Sequence, residues 1–113
     1  MISTFSTITD LAAAIDAGTV DPAELAQAAL VRVDALDPVL NAHVALRREE
    51  ALAEAEAARS RWRDKTRRGP LDGIPVALKD NIDIAGVPTG NDFANGNDLP
   101  AWRMPTSDAT VMR

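Results

Sequence analysis

Apolar positions recur at the helical period through the first half of the chain and lose that period near its middle. Ile8, Leu11, Ala12 and Ile15 share one face of a helix, with Gly18 placed to stop it. A second helix is expected from Asp21-Pro22-Ala23-Glu24. Asp21 is suited to cap it, Pro22 to the first helical position and Glu24 to a capping-box-like arrangement. Leu25, Ala29, Val33 and Leu36 make its stripe, and Asp37-Pro38 predicts its end, because a proline ring disfavours helical geometry in the residue before it. A third and longer helix is expected from about Leu46 to about Arg67, with Ala51, Ala55, Ala58 and Trp62 on one face. Its charges are sorted by sign. Glu49, Glu50, Glu54 and Glu56 lie towards the start and Arg59, Arg61, Arg63, Lys65, Arg67 and Arg68 towards the end, which complements the helix dipole.

From Gly69-Pro70 the pattern changes. Gly73-Ile74-Pro75-Val76-Ala77-Leu78 is a short apolar run bounded by turn formers, as a buried strand would be, and Pro75 places it near a strand start or sheet edge. Lys79-Asp80-Asn81 follows, and then Ile82-Asp83-Ile84 as a second brief extended piece, so Lys79 is expected at a strand end. The stretch 91–105 is rich in Asn, Asp, Gly and Pro and reads as loop. Thr106 to Arg113 resembles the opening of a helix, with Thr106 or Ser107 as cap. A helix cut within its second turn satisfies few of its own hydrogen bonds, so the natural domain is expected to continue past Arg113.

Composition narrows this only modestly. A chain of 113 residues with 46% hydrophobic content and net charge −5 reads as soluble and globular. The apolar residues are largely alanine, with two Phe, two Trp and no Tyr, so a core built from this chain alone would be thin. No stretch has the apolar length of a membrane span and the first residues lack a secretory pattern, which leads to the expectation of a cytoplasmic protein with no membrane partner. Without cysteine there is no disulfide, thiolate nucleophile or sulfur-ligated metal, and a lone His43 leaves metal binding and Ser-His-Asp catalysis almost without material.

The segment Gly69-Pro-Leu-Asp-Gly-Ile-Pro-Val-Ala-Leu-Lys-Asp-Asn-Ile-Asp-Ile-Ala-Gly-Val-Pro-Thr89 closely resembles the lysine-bearing region of amidase-signature enzymes. On either side, Asp37, Pro38, Leu40, Asn41 and Ala42 resemble that family's opening, and Asp108-Ala-Thr-Val resembles its next helix. The chain departs from the family pattern in two places: Thr89 is followed by Gly90-Asn91-Asp92 where many members carry a second Thr or small residues, and the glycine- and serine-rich run of the catalytic serines is absent.

The resemblance implies an α/β fold, of which residues 1–113 are the N-terminal portion of one domain. Residues 1–68 would form a helical layer, and residues 69–113 the lysine-bearing strand and loop region at the start of a mixed sheet. It also implies a Ser–cis-Ser–Lys triad with Lys79 as its lysine. An ordinary lysine is protonated near neutral pH; burial and cationic or hydrogen-bond-donating neighbours lower its pKa until the amine becomes a base, and Val76-Ala77-Leu78 would supply an apolar approach. Lys79 would take a proton through the cis-serine while the other serine attacks an amide carbonyl. The substrate implied is a small amide, or glutamine if the parent is an amidotransferase of glutamyl-tRNA. No metal, nucleotide or organic cofactor is implied. The chain alone, supplying only the lysine, is expected to be inactive, its partner being the missing C-terminal part or a complementing chain, and its oligomeric state is left open.

Other readings stand beside these. A lysine at a strand end is most often a solvated charge, and it is the surrounding motif that favours catalysis for Lys79. Asp80, Asn81 and Asp83 read as turn formers rather than ligands. The cluster Arg59 to Arg68 reads as a solvated helix terminus, not a nucleic-acid site, because the chain is acidic and the cluster has no interleaved aromatics. His43 reads as a packing or surface residue, Trp62 as core, and Trp102 stays open between loop and pocket. The rival from another class is a non-catalytic helical interaction module, which the alanine-rich stripes permit.

Overall fold

The computed structural model describes residues 3, 5–90 and 104–112. Its element order is α1 (Ile8–Asp16), α2 (Pro22–Leu40), α3 (Arg48–Arg63) and a final 3₁₀ turn, Thr110–Met112. The chain divides into two compact units, Met1–Val76 and Ala77–Arg113.

In the first unit, α1 begins at a reciprocal cap. The Thr7 hydroxyl accepts from the Asp10 N–H at 3.1 Å and the Asp10 carboxylate accepts from the Thr7 N–H at 3.1 Å, so two amide donors are satisfied at once. It ends with Gly18 at φ 75°, where the Thr19 N–H reaches the Ala14 carbonyl and the Gly18 N–H that of Ile15. Asp21 caps α2, accepting from the Ala23 N–H at 2.8 Å, with Pro22 in the first turn as expected. The helix does not stop at Asp37. It runs through Pro38 to Leu40 and closes on Asn41 in the left-handed region at φ 48°. Proline falls in the last turn, where its missing N–H costs one terminal bond, and Asp37 compensates by accepting from the Ala42 and His43 amides at 2.9 and 3.2 Å. His43 Nδ1 lies 3.0 Å from the same oxygen, and this contact holds the Asp37 carboxyl below its usual pKa. The buried face of α2 is also rotated from the expected stripe: Pro22, Leu25, Ala26 and Leu30 are buried, Ala29 and Val33 half-buried, and Leu36 exposed.

α3 is shorter than expected at its C-terminal end because Lys65 takes a left-handed conformation at φ 57°. The Lys65 N–H then bonds the Trp62 carbonyl and the Thr66 N–H the Arg61 carbonyl, a Schellman closure made without glycine. Its expected inner face holds: Ala55 and Ala58 are buried, and Ala51 and Trp62 half-buried. Small residues let α2 and α3 pack together, and Ile15, Val20 and Leu25 form the core beside them, flanked by Leu11, Ala14, Trp62 and Ile74. Trp62 Nε1 donates to the Ile15 carbonyl at 2.8 Å, tying α3 to the end of α1.

Three arginines near the end of α3, Arg59, Arg61 and Arg67, are cross-links, whereas Arg63 and Arg68 are exposed. Arg59 Nε bonds Asp21 at 2.8 Å, Arg61 grips Asp72 through Nε and Nη2 at 2.8 and 2.6 Å, and Arg67 pairs with Asp16 and with the carbonyls of Pro70 and Asp72. The Arg68 N–H completes the set on the Asp72 carboxylate at 3.0 Å. These bonds fold residues 67–73 back against the helices and set where the chain leaves the first unit.

Among the described residues there is no β-strand. Residues 74–79 take no regular structure, Pro75, Val76 and Ala77 are exposed, and only Ile74 packs on the core. A strand exists through ladder bonds to a neighbour, and none is present here for this run. The helix expected from Thr106 is likewise reduced to the single 3₁₀ turn.

Candidate active site

The described part of the second unit opens with two consecutive turns. The Ile82 N–H bonds the Lys79 carbonyl at 3.0 Å, making Lys79-Asp80-Asn81-Ile82 a tight turn with Lys79 at its first position. Asp80 and Asn81 are its central residues, which accords with their reading as turn formers. The Val87 N–H bonds the Ile84 carbonyl at 3.1 Å, closing a second turn, with Gly86 at φ 73° where a type II turn requires positive φ.

A distant segment holds the second turn. The Ala85 N–H donates to the Asp108 carboxylate at 2.8 Å, the Gly86 N–H to the Pro105 carbonyl at 3.0 Å, and the Ala109 N–H to the Asp83 carbonyl at 2.9 Å. Residues 83, 85 and 86 are thereby fastened to residues 105–109. Thr89, the only buried polar residue among the described ones, donates its hydroxyl to the Val87 carbonyl at 3.3 Å.

Lys79, the one catalytic candidate of the sequence, is exposed at the start of this framework. The apolar approach expected to desolvate it is not buried here, since Val76 and Ala77 are exposed and Leu78 is half-buried. Trp102 and residues 91–103 of the loop expected over 91–105 lie outside the described residues. The bond from Asp108 to Ala85 leaves no trace in the sequence, because no periodicity or short motif relates positions that far apart. From sequence, Asp108 is only part of a helix opening. Among the described residues, no group of three or more His, Cys, Asp or Glu side chains is placed to hold a metal ion, and no helix is long and apolar enough to cross a membrane.

Residues 24–113 match the family model described as Amidase. The chain belongs to the amidase family. It is 41% identical over 106 residues to the A subunit of glutamyl-tRNA(Gln) amidotransferase from Chloroflexus aurantiacus, an alignment covering 94% of this chain and 21% of that protein. To the corresponding protein of Streptomyces coelicolor it is 35% identical over 107 residues, covering 95% of this chain and 21% of that one. Its structure superposes on the peptide amidase of Stenotrophomonas maltophilia with a TM-score of 0.81 at 37% identity, covering 96% of this chain and 22% of that enzyme. The chain thus spans about a fifth of the length of the relatives it matches, and its fold is that of the corresponding piece of an amidase. An α/β parent is consistent with it, though no strand occurs among the described residues.

Proposed function

We propose that this amidase-family chain supplies the general base of an amide-hydrolysing site, with Lys79 as the lysine of a Ser–cis-Ser–Lys triad. The observation that carries the proposal is the placement of Lys79. It sits inside the segment matched by the family model and opens a hydrogen-bonded turn, and the turn that follows is fastened to residues 105–109. A base has to be held in one place yet reach its acid, and an exposed residue on a closed turn that leads directly into a fastened one suits both requirements.

In this mechanism the neutral Lys79 amine accepts a proton from the cis-serine as that residue takes one from the nucleophilic serine. The nucleophile's oxygen then bonds the amide carbon, the carbon–nitrogen bond breaks, and the proton leaves with ammonia or the amine. Water afterwards releases the acid from the acyl-enzyme. Backbone amides of a glycine-rich loop would hold the oxyanion. Since Val76 and Ala77 are exposed, the desolvation that makes Lys79 a base has to come from whatever the complete site packs around it.

The serines of the family's glycine- and serine-rich run do not occur among the 113 residues, so the chain by itself is proposed to be inactive. A glutamine-dependent amidotransferase reaction is the second reading, favoured by the identity to the Chloroflexus protein. A chimera in which these residues replace the matching segment of the Stenotrophomonas peptide amidase tests the proposal. It is expected to hydrolyse a peptide amide, whereas the isolated chain turns over neither that amide nor glutamine. Activity of the isolated chain, or a folded chimera without activity, would overturn it. Glutamine hydrolysis by the chimera would favour the second reading.

A further inference from the structure

The bonds between residues 83–86 and 105–109 do more than close a loop. The two turns share one short path: Lys79 to Ile82, Asp83 as the joint, and Ile84 to Val87. The joint and both central residues of the second turn are engaged by the distant segment, so the direction in which the first turn leaves the joint is set by that engagement. Two of the three bonds are backbone to backbone and will form wherever these segments meet. The third depends on a side chain, the Asp108 carboxylate accepting from the Ala85 N–H at 2.8 Å across 23 residues of sequence. A carboxylate accepting an amide N–H makes a stronger bond than a neutral acceptor, and Asp108 is exposed, so the bond also competes with water for that donor.

We propose that Asp108 is a positioning residue for Lys79, fixing the lysine-bearing turn by clamping the Ala85 amide. This rests on the reading of Lys79 as the triad base. Asp108 touches no substrate in this account, and its effect reaches the chemistry only through the placement of the lysine. Losing the clamp leaves the joint tied by one bond fewer and the turn free to shift. Displacement of a reacting group by about 1 Å can cost up to about a hundredfold in rate.

The test uses the active chimera and three variants, Lys79→Ala, Asp108→Ala and Asp108→Asn, each checked for folding by circular dichroism. Asp108→Ala is expected to lower kcat by about ten- to a hundredfold while KM changes less than about threefold, because proton transfer and not substrate contact is disturbed. Asp108→Asn keeps an oxygen at the same place to accept from Ala85 and is expected to recover most of that loss. The Ala85 amide should exchange with solvent faster in Asp108→Ala than in Asp108→Asn.

An Asn variant as impaired as the Ala variant would assign the effect to charge rather than to the clamp and overturn the proposal. An Asp108→Ala enzyme with unchanged kcat, or one that fails to fold, would overturn it also, the latter by making Asp108 a stability residue. If Lys79→Ala itself retains activity, it is the triad reading that fails, so the two failures are distinguishable.

Discussion

Lys65 and Gly18 do the same task at two helix ends, each in the left-handed region and each followed by the paired bonds of a Schellman closure. Glycine enters that region freely, whereas a residue with a Cβ is strained there by roughly 1–2 kcal/mol. Gly18 announces its role in the sequence. Lys65 does not, because lysine has no preference for positive φ, and the periodicity of α3 therefore predicts a run on to Arg67. Lys65→Gly should stabilise the first unit by up to about 1 kcal/mol, the relieved strain exceeding the entropy glycine adds to the unfolded chain; an unchanged urea midpoint would contradict this. Asp72 permits a pH test. Its carboxyl is held down to about 2 from 3.8, chiefly by the Arg61 hydrogen bonds working against burial, with the Arg68 amide adding to them. A depressed carboxylate stabilises the fold fully above its unfolded value and loses that contribution as pH falls through the folded one. Unfolding midpoints should therefore hold near pH 5 and fall between about pH 4 and pH 2, and Arg61→Ala should flatten that dependence. Equal pH dependence in the two proteins would count against the pairing.

At the scale of elements, Gly73 explains why the lysine-bearing segment begins as it does. It has φ 93°, and a Cβ there would lie 2.9 Å from Pro22 Cβ and 3.0 Å from Pro22 Cγ. Pro22 is itself fully buried at the start of α2, so neither side can yield. Gly73→Ala should destabilise the first unit by more than about 1 kcal/mol, measurable by thermal or urea unfolding, and a neutral substitution would show that the turn relaxes. Ile15 is the clearest core position at 0% exposure, and Ile15→Ala should cost about 2–5 kcal/mol. Much of this is legible in the sequence. Periodicity locates all three helices, and Asp21-Pro22 marks a start that the structure keeps. The failures have physical causes: Pro38 reads as a stop although in the last turn it forfeits only a terminal bond, and the strand at Ile74 to Leu78 follows from composition although a strand is made by its neighbour. At the site, the motif points to Lys79 and the turn formers to its turn. The clamp from Asp108 is invisible because long-range bonds leave no local pattern.

For the molecule as a whole, the exposed apolar side chains set the expectation. Phe5, Val39, Val44 and Val111 are 90, 87, 65 and 76% exposed, and Val31, Leu40, Leu71 and Val76 are more than half exposed. The first unit has its own small core, but this much uncovered apolar surface favours association. The isolated chain should bind a dye specific for exposed apolar surface and elute broadly in size exclusion; a compact monomer with one sharp unfolding transition would contradict that. The base role of Lys79 can be measured as kcat for amide hydrolysis in the chimera carrying Lys79→Arg. Arginine is a long basic side chain like lysine but stays protonated, so it cannot accept the serine's proton. General-base assistance is worth about two to four powers of ten, and kcat should fall by at least that order in a protein still folded by circular dichroism. An arginine variant turning over at close to the rate of the unsubstituted chimera would contradict it.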